Sequence, residues 1–329
     1  EVLSLLDNTF GNFKARYNDL LEQRKQNLLD IHNNRKQLEV RNDTFNIKNS
    51  NWTGANIPSD LLCRHVEITG PASDAKMFIN AMNSGADGYM TDIEDSNSPN
   101  WNNIVQSQHN IYHGVRNILK YEKINDVGEL DKIYTINTNK KLPSLWVRPR
   151  GLHLKEFNIL DNNGDPYSAS IFDIVMYMYH NSSVKAPYIY FPKLENYEEA
   201  LFVNDVIEYV EDSLNIKDTK VTVLIETLPA IFEINEIIYA LRKYIVGINC
   251  GRWDYLFSYI KNLTNDKNLI LPDRNLLTMN TSFMKSYVNE IVRTAHIRNI
   301  HAMGGMSAFI PGKNTEENNE ILRKINSDK

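Results

Sequence analysis

The chain has 329 residues, 42% hydrophobic and 23% charged, a globular composition long enough to bury a full core. A formal net charge of -5 gives no general electrostatic reason to expect nucleic acid or an anionic membrane as partner, and no apolar run approaches the roughly 18 to 20 residues of a spanning helix. Two cysteines, Cys63 and Cys250, exclude a disulfide framework or a zinc site made of cysteines alone, and suggest a reducing compartment, the cytosol or an organelle matrix.

Residues 1 to about 36 read as a helix, with Leu3, Leu6, Phe10, Phe13, Tyr17, Leu20 and Leu21 near helical spacing. A polar, Asn-rich segment to about residue 60 reads as a loop. From Cys63 onward, short apolar runs alternate with amphipathic helical stretches. The runs are "CRHVEITGP" (63–71), "GYMTDIEDS" (88–96), "LWVRPRG" (145–151), "YIYFPKLE" (188–195), "VTVLIET" (221–227), "YIVGINCGRWD" (244–254) and "IHAMGGMSAFIP" (300–311). Helical patterns fill 197–214, with Ala200, Val203, Val206, Ile207 and Val210 on one face, and 282–298. Strands alternating with helices predict a parallel sheet, and runs apolar throughout predict strands covered on both faces. Six or seven such units in roughly 265 residues match the scale of a TIM (β/α)8 barrel. A doubly wound open sheet is the alternative, but no Gly-x-Gly-x-x-Gly follows an early strand.

In a barrel the chemistry sits at the C-terminal ends of the strands. Here the second run ends in Asp92, Glu94, Asp95 and Ser96, the third in Arg148 and Arg150, and the fourth in Lys193 and Glu195. The fifth ends in Glu226 and the sixth in Arg252-Trp253-Asp254. Capping and structural ion pairs explain single charged ends; five in series point to a site. Glu226 and Asp254, from adjacent strand ends, predict a shared hard cation, Mg2+. His65, read inside the first strand, and His296 and His301, flanking a strand start, read as packing or surface residues. Arg148 suits a carboxylate or a developing oxyanion, while Arg150 pairs with Asp92 or Glu94 or shares that role. Gly251 lets a ligand approach the backbone, and the N–H groups of Trp253 and Asp254 point at an anion at a helix start. Asp254 itself reads either as the N-cap of that helix or as a metal ligand.

"VEITGP" (66–71), "DIEDSNSPNW" (92–101), "VRPRGLHL" (147–154), "VLIETLPAIFEINEI" (223–237), "NCGRWDYLFSYIK" (249–261), "LPDR" (271–274) and "AMGGMSAFIP" (302–311) closely resemble malate synthase of the A type. The resemblance implies an Mg2+-dependent condensation of acetyl-CoA with glyoxylate, followed by hydrolysis to malate and CoA, in the glyoxylate cycle. It implies Glu226 and Asp254 as metal ligands, and Gly251, Arg252, Trp253 and Asp254 around the glyoxylate carboxylate. Arg148 matches the catalytic arginine, Asp92 and Glu94 supporting acids, and Ser96 a position near the CoA chain. In the family a strand with a "GHDGTW"-like motif closes the barrel, and a C-terminal helical domain supplies the base aspartate; neither is found in these 329 residues. The expectation is therefore a fragment of low activity, with a helical clasp and loop over 1–60 and an incomplete barrel of about seven strands over 61–329. Expected partners are the two small substrates, in a cytoplasmic or peroxisomal (glyoxysomal) setting. A lyase of the citrate-lyase β-subunit and malyl-CoA lyase group, and a non-catalytic remnant, are the alternatives.

Overall fold

A computed structural model describes residues 1–305, 307, 312 and 314–328. The chain opens with helix α1 (Val2–His32), short helix α2 (Phe45–Asn49) and a 3-10 turn at Ser59–Leu61. Strand β1 (Glu67–Pro71), α3 (Ala75–Met82), β2 (Gly88–Asp92) and α4 (Trp101–Val115) follow. A hairpin, β3 (Lys120–Ile124) and β4 (Leu130–Thr135), precedes β5 (Ser144–Arg148). A second hairpin, β6 (Lys155–Leu160) and β7 (Pro166–Ser168), leads into α5 (Ala169–Asn181). Then come β8 (Tyr188–Phe191), α6 (Tyr197–Leu214), β9 (Lys220–Ile225), α7 (Leu228–Ile231), α8 (Ile234–Ala240) and β10 (Ile245–Cys250). Helix α9 (Trp253–Leu263), α10 (Ser282–Ile297), β11 (His301–Met303) and α11 (Thr315–Asp328) complete the described chain.

The main sheet has seven strands in the order β1-β2-β5-β8-β9-β10-β11, all parallel and joined in chain sequence. It curls as part of a TIM barrel, as the run-and-helix alternation predicts. Every residue of β2, β5, β8, β9 and β10 is buried, because both faces are covered. Inside the curl, Met90, Trp146, Tyr190, Leu224, Val246 and Met303 meet one another and Leu61. The other face packs against the helices in a larger core. Side chains alternate along a strand, so Asp92, Arg148 and Glu226, two residues beyond Met90, Trp146 and Leu224, come to the interior face at the C-terminal ends.

Several expectations shift. Leu6, Phe10, Tyr17 and Leu20 of α1 are buried, but Leu3 is exposed. The segment before residue 60 is not all loop: α2 lies beside α8, and Arg298 donates to the carbonyls of Lys48 (2.8 Å) and Ser50 (3.0 Å), tying it to the end of α10. His65 precedes β1 rather than lying inside it. The seventh run forms a strand over His301–Met303; Met306 and residues 308–311 of it lie outside the described residues. Neither hairpin shows in the sequence pattern, because their strands are mostly exposed and mixed in polarity, and so give no buried apolar run. Among the described residues no helix is long and apolar enough to cross a membrane.

Candidate active site

Asp92 ends β2 and organises the first part of the site. Its carboxylate accepts the N–H groups of Glu94 (2.8 Å) and Ser96 (2.7 Å) and the Ser96 hydroxyl (2.5 Å). On its other side it accepts Arg148 Nε at 2.7 Å and Nη2 at 2.6 Å, a two-pronged pair that fixes the guanidinium plane. Register makes this possible, since Asp92 lies opposite Arg148 in the β2–β5 ladder. Burial works against the Asp92 charge, but Arg148 outweighs it and holds the carboxyl below its usual range. The third nitrogen of Arg148, Nη1, donates to Asp95 at 3.1 Å and stands 3.9 Å from Glu94.

Lys193, just past β8, forms the centre. It takes a left-handed backbone with φ 54°, unusual for a side chain of this size. That turn aims its N–H at Glu226 Oε1 (3.1 Å) and its carbonyl at Arg24 of α1, which donates at 2.9 Å. Its ammonium lies 2.8 Å from Glu94, 2.8 Å from Asp95 and 3.5 Å from Asp254. Burial alone would lower the lysine, but Glu94, Glu226 and Asp254 raise it, so it stays charged.

Glu226 and Asp254 supply the remaining acids. Glu226 is 2% exposed, and burial, reinforced by the Asp254 charge, pushes its carboxyl up to about 8. Asp254 is raised by burial, against the pull of Lys193. Burial also lifts Glu94 to about 7 in spite of Lys193 and Arg148. Carboxyls held this high mark a place with more acid than resident cation can neutralise. Oxygen donors in that balance fit a hard divalent cation, with Glu226 and Asp254 as the pair to hold it.

Tyr287 of α10 braces this corner. Its hydroxyl donates to the carbonyls of Ile225 and Gly251 (2.9 Å), joining the ends of β9 and β10, and its ring stacks on Tyr255 at 3.9 Å. Gly251 is required by Glu226 itself: a Cβ there would lie 2.6 Å from Glu226 Cβ and 2.7 Å from Oε2. Any side chain at position 251 would therefore displace Glu226.

The site thus brings together Asp92, Glu94, Ser96, Arg148, Glu226 and Asp254. Arg150 departs from the pairing expected of it. It turns away and donates to Asp173 of α5 (2.8 and 2.9 Å) and to Glu156 (2.8 Å), never to Asp92 or Glu94. It is a buried structural pin, and the acid inside the apolar "ASIFDIVMYMYHN" helix was the signal for its partner. Asp254 is not the N-cap of α9; Arg252 holds that position, and Asp254 lies within the first turn. Arg252 donates to the Leu277 carbonyl at 2.8 Å, and the Arg252 and Arg274 guanidinium groups lie 4.8 and 5.2 Å from the centre of the Trp253 ring. The sequence marks Lys193 only as a charged strand end, since nothing in its neighbours announces the left-handed turn.

Residues 144–329 match the family described as malate synthase, TIM barrel domain. The whole chain is 40% identical to malate synthase A of Escherichia coli (strain K12), covering 61% of that protein. It is 44% identical to the glyoxysomal malate synthase of Candida tropicalis over all of this chain and 60% of the relative. It is also 44% identical to the bifunctional glyoxylate cycle protein of Caenorhabditis elegans, of which it covers 34%. The chain therefore spans between about a third and three-fifths of the relatives it matches. A site of paired arginine and acids at the ends of parallel barrel strands, in a sequence alike over its whole length, has one conclusion: the chain belongs to the malate synthase family.

Proposed function

We propose that this chain carries the glyoxylate-binding and enolate-stabilising part of a malate synthase active site, which joins acetyl-CoA to glyoxylate and, with water cleaving the thioester, releases malate and CoA. The observation that carries the reading is the convergence of Glu226 and Asp254, from neighbouring strand ends, beside an Arg148 locked by Asp92. Glu226 and Asp254 would hold Mg2+, which supplies Lewis-acid polarisation of the aldehyde when bound. The first N–H groups of α9, at Trp253 and Asp254, lack partners within their helix and suit the glyoxylate carboxylate, next to Gly251 and Arg252. Arg148 offsets the charge that grows on the thioester oxygen as the methyl group loses its proton to a base; that charge passes to the aldehyde oxygen as the carbon–carbon bond forms. Asp92 keeps Arg148 charged and oriented, Lys193 balances Glu94 and Asp95, and exposed Ser96 faces the approach of the CoA chain. Arg150 acts at one remove, by fixing the loop after β5. Residues 1–60 act as a clasp, a role supported by α1 lying against α5 and α6 and by Arg24 reaching Lys193. The relatives named glyoxysomal favour an intracellular setting.

Calorimetric titration of the chain with glyoxylate, with and without Mg2+, tests the reading. Binding is expected only with the metal, and Glu226→Gln is expected to abolish it. Equal binding without the metal, or in the variant, would sink the assignment.

A further inference from the structure

We propose a second metal site, for Zn2+, on the opposite face of the barrel, built from Cys63, His65 and Asp87. These side chains present a cysteine sulfur, an imidazole nitrogen and a carboxylate oxygen that all lie within 4.8 Å of one another, and they form the one such three-residue group among the described residues. Local structure explains why they meet. Arg64, between the cysteine and the histidine, points into the barrel, where Nη1 donates to the Thr222 hydroxyl at 2.9 Å and the guanidinium lies 4.2 Å from the centre of the Trp146 ring. With Arg64 anchored inward, the residues on either side face outward together. The β1–β2 register sets Gly88 opposite Glu67, which brings Asp87 beside His65.

The carboxylate is already oriented. Asp87 Oδ2 accepts the N–H groups of His65 (3.1 Å) and Val66 (3.2 Å). Oδ1 accepts Lys141 at 3.1 Å, and that side chain is 74% exposed, free to yield to a cation. Cys63 Sγ and His65 Nδ1 are 3.7 Å apart, close to the roughly 3.6 Å edge of a tetrahedron with Zn–S and Zn–N bonds of about 2.3 and 2.05 Å. Mixed sulfur, nitrogen and oxygen donors favour Zn2+ over Mg2+, with water in the fourth position. At the N-terminal face, the site has a stapling role: it ties the entry of β1 to the entry of β2, away from the reacting groups.

The test uses the 329-residue chain with Zn2+, and with Co2+ as a spectroscopic stand-in, in the wild type and in Cys63→Ser, His65→Ala and Asp87→Asn. Cys63 and His65 are exposed, so the first two variants keep the fold. One equivalent of Zn2+ is expected to raise the wild-type Tm, and Co2+ to give a thiolate charge-transfer band. Cys63→Ser should lose the band, and all three variants should bind at least about ten-fold more weakly, as loss of one ligand requires. A band that survives in Cys63→Ser would belong to Cys250 and overturn the proposal, as would unchanged affinity in the variants or no binding by the wild type.

Discussion

At the residue scale, the strongest single dependency is that of Arg148 and Asp92 on each other. Both are almost fully buried, so Arg148→Ala leaves an uncompensated carboxylate and is expected to cost about 3–5 kcal/mol. Adding Asp92→Asn should return part of that loss, and urea unfolding of the two variants decides it. Gly251→Ala is expected to drive the Glu226 side chain from its place, lowering Mg2+ affinity about ten-fold while the helix-dominated far-ultraviolet spectrum stays native-like. The raised carboxyls give a pH dependence of definite sign. In the metal-free protein Glu226 holds its proton up to about 8 when folded, against 4.5 for the ordinary group. Between those values the folded state binds the extra proton, so stability falls as pH rises and levels off above about 8. Asp92, depressed by Arg148, acts in the other direction, contributing stability above its ordinary value of 3.8 that is lost as pH falls through its folded value. Tm against pH after chelator treatment, compared with Glu226→Gln, isolates the first effect: the variant should lose part of the slope.

At the element scale, α10 holds the ends of β9 and β10 at their correct spacing, and one hydroxyl does so from inside the core. Tyr287→Phe leaves two buried carbonyls without this donor and is expected to cost about 1–3 kcal/mol. It should also weaken metal-dependent glyoxylate binding, because Glu226 follows Ile225 directly. Native stability with unchanged binding would mean that the strand ends hold themselves. Helix α1 plays a similar part for β8. Arg24 donates to both oxygens of Glu199, which is wholly buried, and to the carbonyl of Lys193, so the left-handed turn at the site rests on a helix far off in sequence.

At the scale of the whole molecule, the described sheet has two edge strands. Among the described residues β1 pairs with β2 alone and β11 with β10 alone. Open parallel edges beside an apolar interior favour pairing with another chain. The purified chain is therefore expected to associate as its concentration rises, and sedimentation velocity across a concentration series would show a single monomer species if this is wrong.

The barrel class and the charged residues gathered at the strand ends were legible because each depends on local pattern. A strand buried on both faces must be apolar throughout, and the polar residues that interrupt it at one end then stand out, as Asp92, Arg148 and Glu226 do. The hairpins were not legible, since exposed strands carry no such constraint. Asp173, an acid inside an apolar helix, announces some buried partner, but it lies 23 residues beyond Arg150, and only the docking of α5 against the loop after β5 shows which. The packing role of Gly251, whose missing Cβ leaves room for Glu226, was not legible either. The sequence by itself determined which groups the molecule possesses and in what order they reach the barrel mouth. Tertiary structure decided which charge faces which, because charged side chains commit to partners by distance, and distance between strands and helices exists only once the sheet has curled.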